Sequence, residues 1–185
     1  MMPDATRLYP YVVPAEYLAY EDKYPEGFTR KLGYNLHVVL VFDEGTHVRN
    51  VQPKDLEAMH LSIGQEYERA NSNLDELVKS GAIKMMAFPN GPNGQPFVLV
   101  GGHWAAATAI LSQKVNEVAV RALKTSDLCV SIPHREAMLI FPSGSESSRQ
   151  AFRAMIRTQE GDGKKPLTFE LFTISSHGVK EFHEK

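Results

Sequence analysis

Three rhythms of hydrophobic and polar positions run along the chain, and each predicts a different element. Leu36–Phe42 (LHVVLVF) is almost continuously apolar and β-branched, the pattern of a strand covered on both faces. Asp43-Glu44-Gly45 then supplies a turn, and the alternation in Thr46–Val51 predicts an antiparallel partner. Ile63, Tyr67, Ala70, Leu74, Leu77 and Val78 recur at helical spacing. A Ser62/Gln65 capping box opens that helix, and Gly81 lies just past its end. Before it, Pro53 opens a shorter helix through His60.

The richest stretch is Asp127–Phe141 (DLCVSIPHREAMLIF). Its apolar runs, Leu128–Ile132 and Ala137–Ile140, flank the polar break Pro133-His134-Arg135-Glu136. Pro133 cannot donate to a ladder, so two strands meeting at a charged corner are expected there. Upstream, Ile83–Phe88 and Phe97–Val100 bracket the turn-rich PNGPNGQP and predict a hairpin. After Gly101-Gly102, His103-Trp104 opens a helix whose face is Ala107, Leu111, Val115, Val118 and Ala122. Ser143-Gly144-Ser145 reads as a loop and cap for a helix faced by Ala151, Phe152, Met155 and Ile156. Gly161–Lys165 reads as a turn, Leu167–Ile174 as a half-buried strand, and the tail as a further short strand or a frayed end.

Residues 1–34 carry prolines at positions 10, 14 and 25 among tyrosines and charges. Each proline pushes its predecessor toward extended geometry. An irregular arm is expected, with a short helix near Ala15–Tyr20, packed on the body through its tyrosines. Strands in hairpin pairs separated by helices predict an α+β fold. The expectation is one domain over 35–185, with a mixed or antiparallel sheet of about five to seven strands and three main helices largely on one face. No repeat, low-complexity tract or interdomain linker interrupts it.

Composition narrows the function classes. A net charge of -2 with scattered Lys and Arg argues against nucleic acid, which demands a basic stripe. No run reaches the ~18 apolar residues of a membrane span, and the N-terminus reads as no signal peptide. One cysteine excludes an internal disulfide framework, so the cytoplasm is the expected compartment.

The residues Leu36–Glu44, Val48–Leu56, Asn71 and Leu74, Ala109–Leu111, Val130–Leu139 and Leu167–Phe172 carry a resemblance in that order. The clearest piece is Pro133-x-Arg135-Glu136 between two apolar strands. The chain resembles the YtpQ-like family of uncharacterised bacterial proteins, a domain of unknown function. The resemblance implies a bacterial source, a fold and a place in that group; it implies no activity.

Candidate chemistry centres on the corner. Arg135 is a fork-shaped donor suited to a carboxylate or phosphate, and His134 or Glu136 is a proton carrier. The structural alternative is a hairpin corner whose arginine pins the sheet edge. His103, beside the glycine pair, can join an anion site at a helix N-terminus, or can simply mark a strand-to-helix turn with Trp104 buried. The seven histidines show no metal-ligand spacing, although His37 and His47 could face each other across the first hairpin. Cys129 reads as a packed thiol, and Gly144-Ser145-Glu146-Ser147 as a cap instead of a nucleophile elbow. The pairs Asp43-Glu44 and Asp75-Glu76 read as turn and solvated helix face.

These residues predict no metal and no cofactor. They favour a non-catalytic protein-binding or accessory module, acting on another protein or on itself, with an immunity-like blocking role as one form. The Met85–Pro96 segment is the expected surface. The alternative is a small enzyme or anion-binding domain built on His103, His134, Arg135 and Glu136.

Overall fold

The structure is a computed structural model that describes residues 4–19, 27–162 and 166–184. Tyr20, Pro25 and the Lys164-Lys165 end of the expected Gly161–Lys165 turn lie outside them. The fold is α+β, with two compact units, Met1–Leu77 and Val78–Lys185.

The first unit holds β1 (Leu8–Pro14), β2 (Thr29–Gly33), β3 (Leu36–Asp43) and β4 (Val48–Asn50), then α1 (Pro53–Met59) and most of α2 (Ile63–Lys79). β3 is the spine. β1 pairs along one side of it, while β2 and β4 share the other, all antiparallel. Residues Val38–Phe42 are buried in succession, as the apolar run requires.

Residues 1–34 thus contribute β1 and β2 where an irregular arm was expected. The prolines fit because of edge geometry. Leu40 turns its carbonyl toward Val51 N–H, away from β1. Pro10, opposite Leu40, therefore has its nitrogen on the outer side, where a missing donor costs no ladder bond. Ala15–Ala19 form a 3-10 turn.

In α2 the capping box forms as expected: Ser62 N–H donates to Gln65 Oε1 at 2.9 Å, and Gln65 N–H to Ser62 Oγ at 3.4 Å. Asn73 Nδ2 donates to the carbonyls of Ala5 and Leu8 at 2.8 Å each, tying α2 to the start of β1.

The second unit is built on a six-stranded antiparallel sheet. Its strands are β5 (Lys84–Phe88), β6 (Phe97–Gly101), β7 (Leu128–His134), β8 (Ala137–Pro142), β9 (Leu171–Ser175) and β10 (Gly178–Glu181), in the order β10-β9-β7-β8-β6-β5. The apolar hairpin β7–β8 is the centre. Its inner residues Val130, Met138, Ile140 and Phe141 have no exposed surface. α4 (Glu146–Glu160) lays Phe152 and Ile156 on the Cys129–Leu139–Phe141 face, and Phe152 stacks on Phe141 at 4.1 Å between ring centroids. The opposite face, with Val98, Val130, Met138, Ile140 and Phe172, is buried as well. α3 (Gln113–Leu123) packs against β6, β8 and β9.

Two boundaries differ from the sequence expectation. The helix expected from His103 is a 3-10 turn, Ala107–Leu111, followed by α3, because Ser112 caps a new start by accepting from Val115 N–H at 3.3 Å. The strand expected from Leu167 begins at Leu171. Thr168 N–H instead donates to Ile132 O at 3.4 Å, and Leu167 N–H to Pro133 O at 2.9 Å.

Candidate functional site

The Pro133–Glu136 corner is a tight hairpin closed by His134 opposite Ala137. The ladder slips between Ser131 and His134, so Ile132 and Pro133 together face Met138. This β-bulge absorbs the proline, whose missing N–H would otherwise leave a gap in a central strand.

His134 is held at both ring nitrogens. Nδ1 accepts from Glu136 N–H at 3.3 Å, which fixes the proton of the neutral ring on Nε2, and Nε2 donates to the Glu160 carboxylate. Only 16% of the His134 side chain and 23% of Glu160 remain exposed. Glu160 sits at the last turn of α4, 26 positions away, so nothing near His134 in sequence announces it.

The second candidate stretch comes to the same end of the sheet. β6 pairs with β8 through Val100 and Met138, which brings Gly101 beside the Glu136 carbonyl. Ala107 N–H donates to Arg135 O at 3.1 Å. His103, His134, Arg135 and Glu136 therefore share one lip of the six-stranded sheet. His103 uses Nδ1 to accept from Ala105 N–H at 3.2 Å, a local turn contact. Trp104 is half-buried, where the strand-to-helix-turn reading expected it buried, with its ring 5.2 Å from that of His103. Arg135 is half-buried and Glu136 exposed. The lip's carbonyls at Ile132, Pro133 and Arg135 accept from Thr168, Leu167 and Ala107, and its imidazole bonds Glu160.

Other sequence candidates separate. His37 stands opposite Val13 and Lys31, whereas β4 meets β3 only at Val41–Asp43, so His37 and His47 do not face each other. Among the described residues no group of three or more His, Cys, Asp or Glu is placed to hold a metal ion. Cys129 is fully buried, and burial pushes its thiol up to about 12, far from a nucleophile's range. Ser145 caps α4 by accepting from Ser148 N–H at 3.3 Å.

Two features were missed from sequence, and a third was expected only as the apolar Met85–Pro96 segment. The first is a polar groove of about 630 Å³ in the first unit, lined by Tyr17, Glu44, Arg49, Lys54 and Asp55 among others. Arg49 spends its guanidinium inside it: Nη1 donates to the buried Asp55 at 2.8 Å and Nε to Glu44 at 2.9 Å. Asp55 also accepts from Gln52 N–H at 2.8 Å, closing a capping box on α1.

The second is Glu66, on the first turn of α2. It has no exposed surface, and neither carboxylate oxygen has a hydrogen-bond partner among the described residues. Burial first, and the negative charge of Asp55 second, push its carboxyl up to about 7.

The third is the β5 edge. Among the described residues β5 pairs only with β6, so its other side is a sheet edge. Its sequence, KMMAF, carries no proline and one charge, Lys84 at its start. The described residues contain four exposed large hydrophobics: Tyr17, Met86, Phe88 and Val118. Met86 and Phe88 lie on β5. Val118 lines, with Val78, Ile83, Met85 and Met86, a groove of about 440 Å³ beside it. The adjoining Pro89–Pro96 loop is anchored instead of open. Phe88 stacks on Phe97 at 4.8 Å, and Asn93 Nδ2 donates to Ser147 O at 3.4 Å. The surface signal in sequence was the run of Met, Ala and Phe next to a turn; its exposure needed the strand order.

No helix among the described residues is long and apolar enough to cross a membrane. No family model, curated protein or solved structure matches the chain.

Proposed function

We propose that the chain is a non-catalytic protein-binding module that presents the β5 edge of its six-stranded sheet. One observation carries the reading: three of the four exposed large hydrophobics gather on β5 and the groove beside it. Sheet edges are ordinarily blunted by charge, proline or a bulge, because bare backbone groups recruit strands. β5 has none of these in its interior and adds two adjacent methionines, side chains that adapt to varied partners. An extended segment added to this edge would gain main-chain hydrogen bonds, with the apolar groove selecting side chains. An accessory or immunity-like role, and a place in the cytoplasm, fit such a surface. The reading accords with membership of the YtpQ-like group without depending on it.

The test is site-specific photo-crosslinking in the producing cell. A photoreactive residue at Met86 should capture one defined protein adduct, while the same probe at Lys180 on β10 should capture none. Equal labelling at both positions, or none at Met86, refutes the reading.

The alternative, an anion-binding or catalytic lip, draws on the convergence of His103 and the corner through the Ala107–Arg135 bond. It requires Arg135→Ala to abolish phosphate or carboxylate binding at an unchanged melting temperature. A fall in melting temperature instead makes Arg135 part of the clamp.

A further inference from the structure

We infer that the occupant of the β5 edge is a second copy of this chain, paired β5 to β5 antiparallel about a twofold axis at Met86. The inference rests on reading that edge as a protein-binding surface, and goes further by naming the partner.

The strand is self-complementary in that register. Overlapping Lys84–Phe88 on itself antiparallel puts Lys84 opposite Phe88, Met85 opposite Ala87 and Met86 opposite Met86. The only charge lies at the first position, so the two lysines go to opposite ends and no like charges meet. Each ammonium instead faces an exposed aromatic ring, a favourable pairing. Met86, the most exposed of the large hydrophobics, is covered by its own mate.

The other edge of the sheet argues for closure through β5. β10 is four residues long, begins with glycine and carries Lys180 and Glu181. It is blunted in the ways β5 is not. A β5-to-β10 contact would be head-to-tail and would propagate, whereas β5 to β5 uses one surface twice and stops at two copies.

The experiment is sedimentation equilibrium of the full chain with charge variants at the axis. The unmodified protein should dimerise. Met86→Lys alone and Met86→Glu alone should each weaken dimerisation at least about tenfold, since like charges would then face each other across the axis. Mixing the two variants should restore a dimer containing one of each, because only residue 86 faces residue 86. Met86 is 45% exposed, so in dilute protein, where the parent is monomeric too, both variants should keep its melting temperature, and that measurement guards against misfolding.

Three outcomes overturn the inference: a monomer up to about 1 mM, a dimer indifferent to both charges, or no recovery on mixing. The broader reading fails separately. A monomer whose Met86 probe still captures a different protein sinks self-pairing and leaves the edge a binding surface. A monomer whose probe captures nothing sinks both.

Discussion

Two places on the six-stranded sheet use the same kind of backbone in opposite ways. At the β7–β8 corner, the carbonyls of Ile132, Pro133 and Arg135 all accept hydrogen bonds from elsewhere in the chain, and both nitrogens of His134 are engaged. At β5, the outer side faces no strand among the described residues, and Met86 and Phe88 are exposed. The corner attracts attention in sequence because it is polar and charged. In the fold its carbonyls and the His134 ring are occupied, which supports reading the corner as a fastening. The edge shows in sequence only as part of the apolar-rich Met85–Pro96 segment, and in the fold its Met86 and Phe88 are exposed. A buried polar group with all its partners specifies structure; an apolar edge without partners specifies association.

The comparison breaks most visibly beneath the hairpin that carries the corner. Phe152→Ala removes the ring stacked on Phe141 under β7 and β8 and should cost about 3–5 kcal/mol in denaturant unfolding. A loss under about 1 kcal/mol would mean that the β7–β8 hairpin does not rest on a packed core.

Glu66 sharpens the comparison from the other side, as a buried polar group with no partner among the described residues. Its carboxyl rises in the folded state from an ordinary 4.5 to about 7, so folding favours the protonated form. That contribution is fully present below about 4.5 and is lost as pH rises through about 7. Glu66→Gln should flatten this slope and stabilise the protein at pH near 8 by on the order of 3 kcal/mol, read from unfolding curves across pH. Parallel curves for parent and variant would show Glu66 to be solvated.

At the corner itself, Glu160→Gln should cost about 1–2 kcal/mol by removing the charged acceptor of His134. His134→Ala should cost a similar amount. The double variant should cost less than their sum by about 1 kcal/mol, since both lesions remove one bond. Strict additivity would make the pair incidental. The smallest effect belongs to the edge: Met86→Ser should change the stability of the isolated chain by no more than about 0.5 kcal/mol while weakening association.

How much of this was legible follows from where each signal lies. Leu36–Phe42 and the β7–β8 runs were readable because burial on both faces demands an apolar residue at nearly every position. The α2 start was readable because Ser62 and Gln65 sit three apart on one chain segment. β1 was hidden by prolines whose nitrogens face outward, a fact set by the β3 register and not by local sequence. The break between the 107–111 turn and α3 was marked by Ser112, whose capping role the surrounding apolar spacing masked. Leu167–Glu170 alternates like a strand, yet the bulge at Ile132–Pro133 draws its amides across the ladder. His134, Arg135 and Glu136 were legible as a polar corner. Glu160 was not, because only the course of α4 brings it there; Met85–Pro96 was legible as a surface, but not as a sheet edge, because that depends on strand order.

Hydrogen–deuterium exchange at low and high protein concentration tests the central claim most directly. The Lys84–Phe88 amides that point away from β6 should exchange quickly in dilute protein and gain protection as concentration rises, while those of Ala107, Leu167 and Thr168, which donate to the corner, stay protected at both. Protection of the outward β5 amides that ignores concentration, together with open and concentration-dependent amides at Ala107, Leu167 and Thr168, would contradict it.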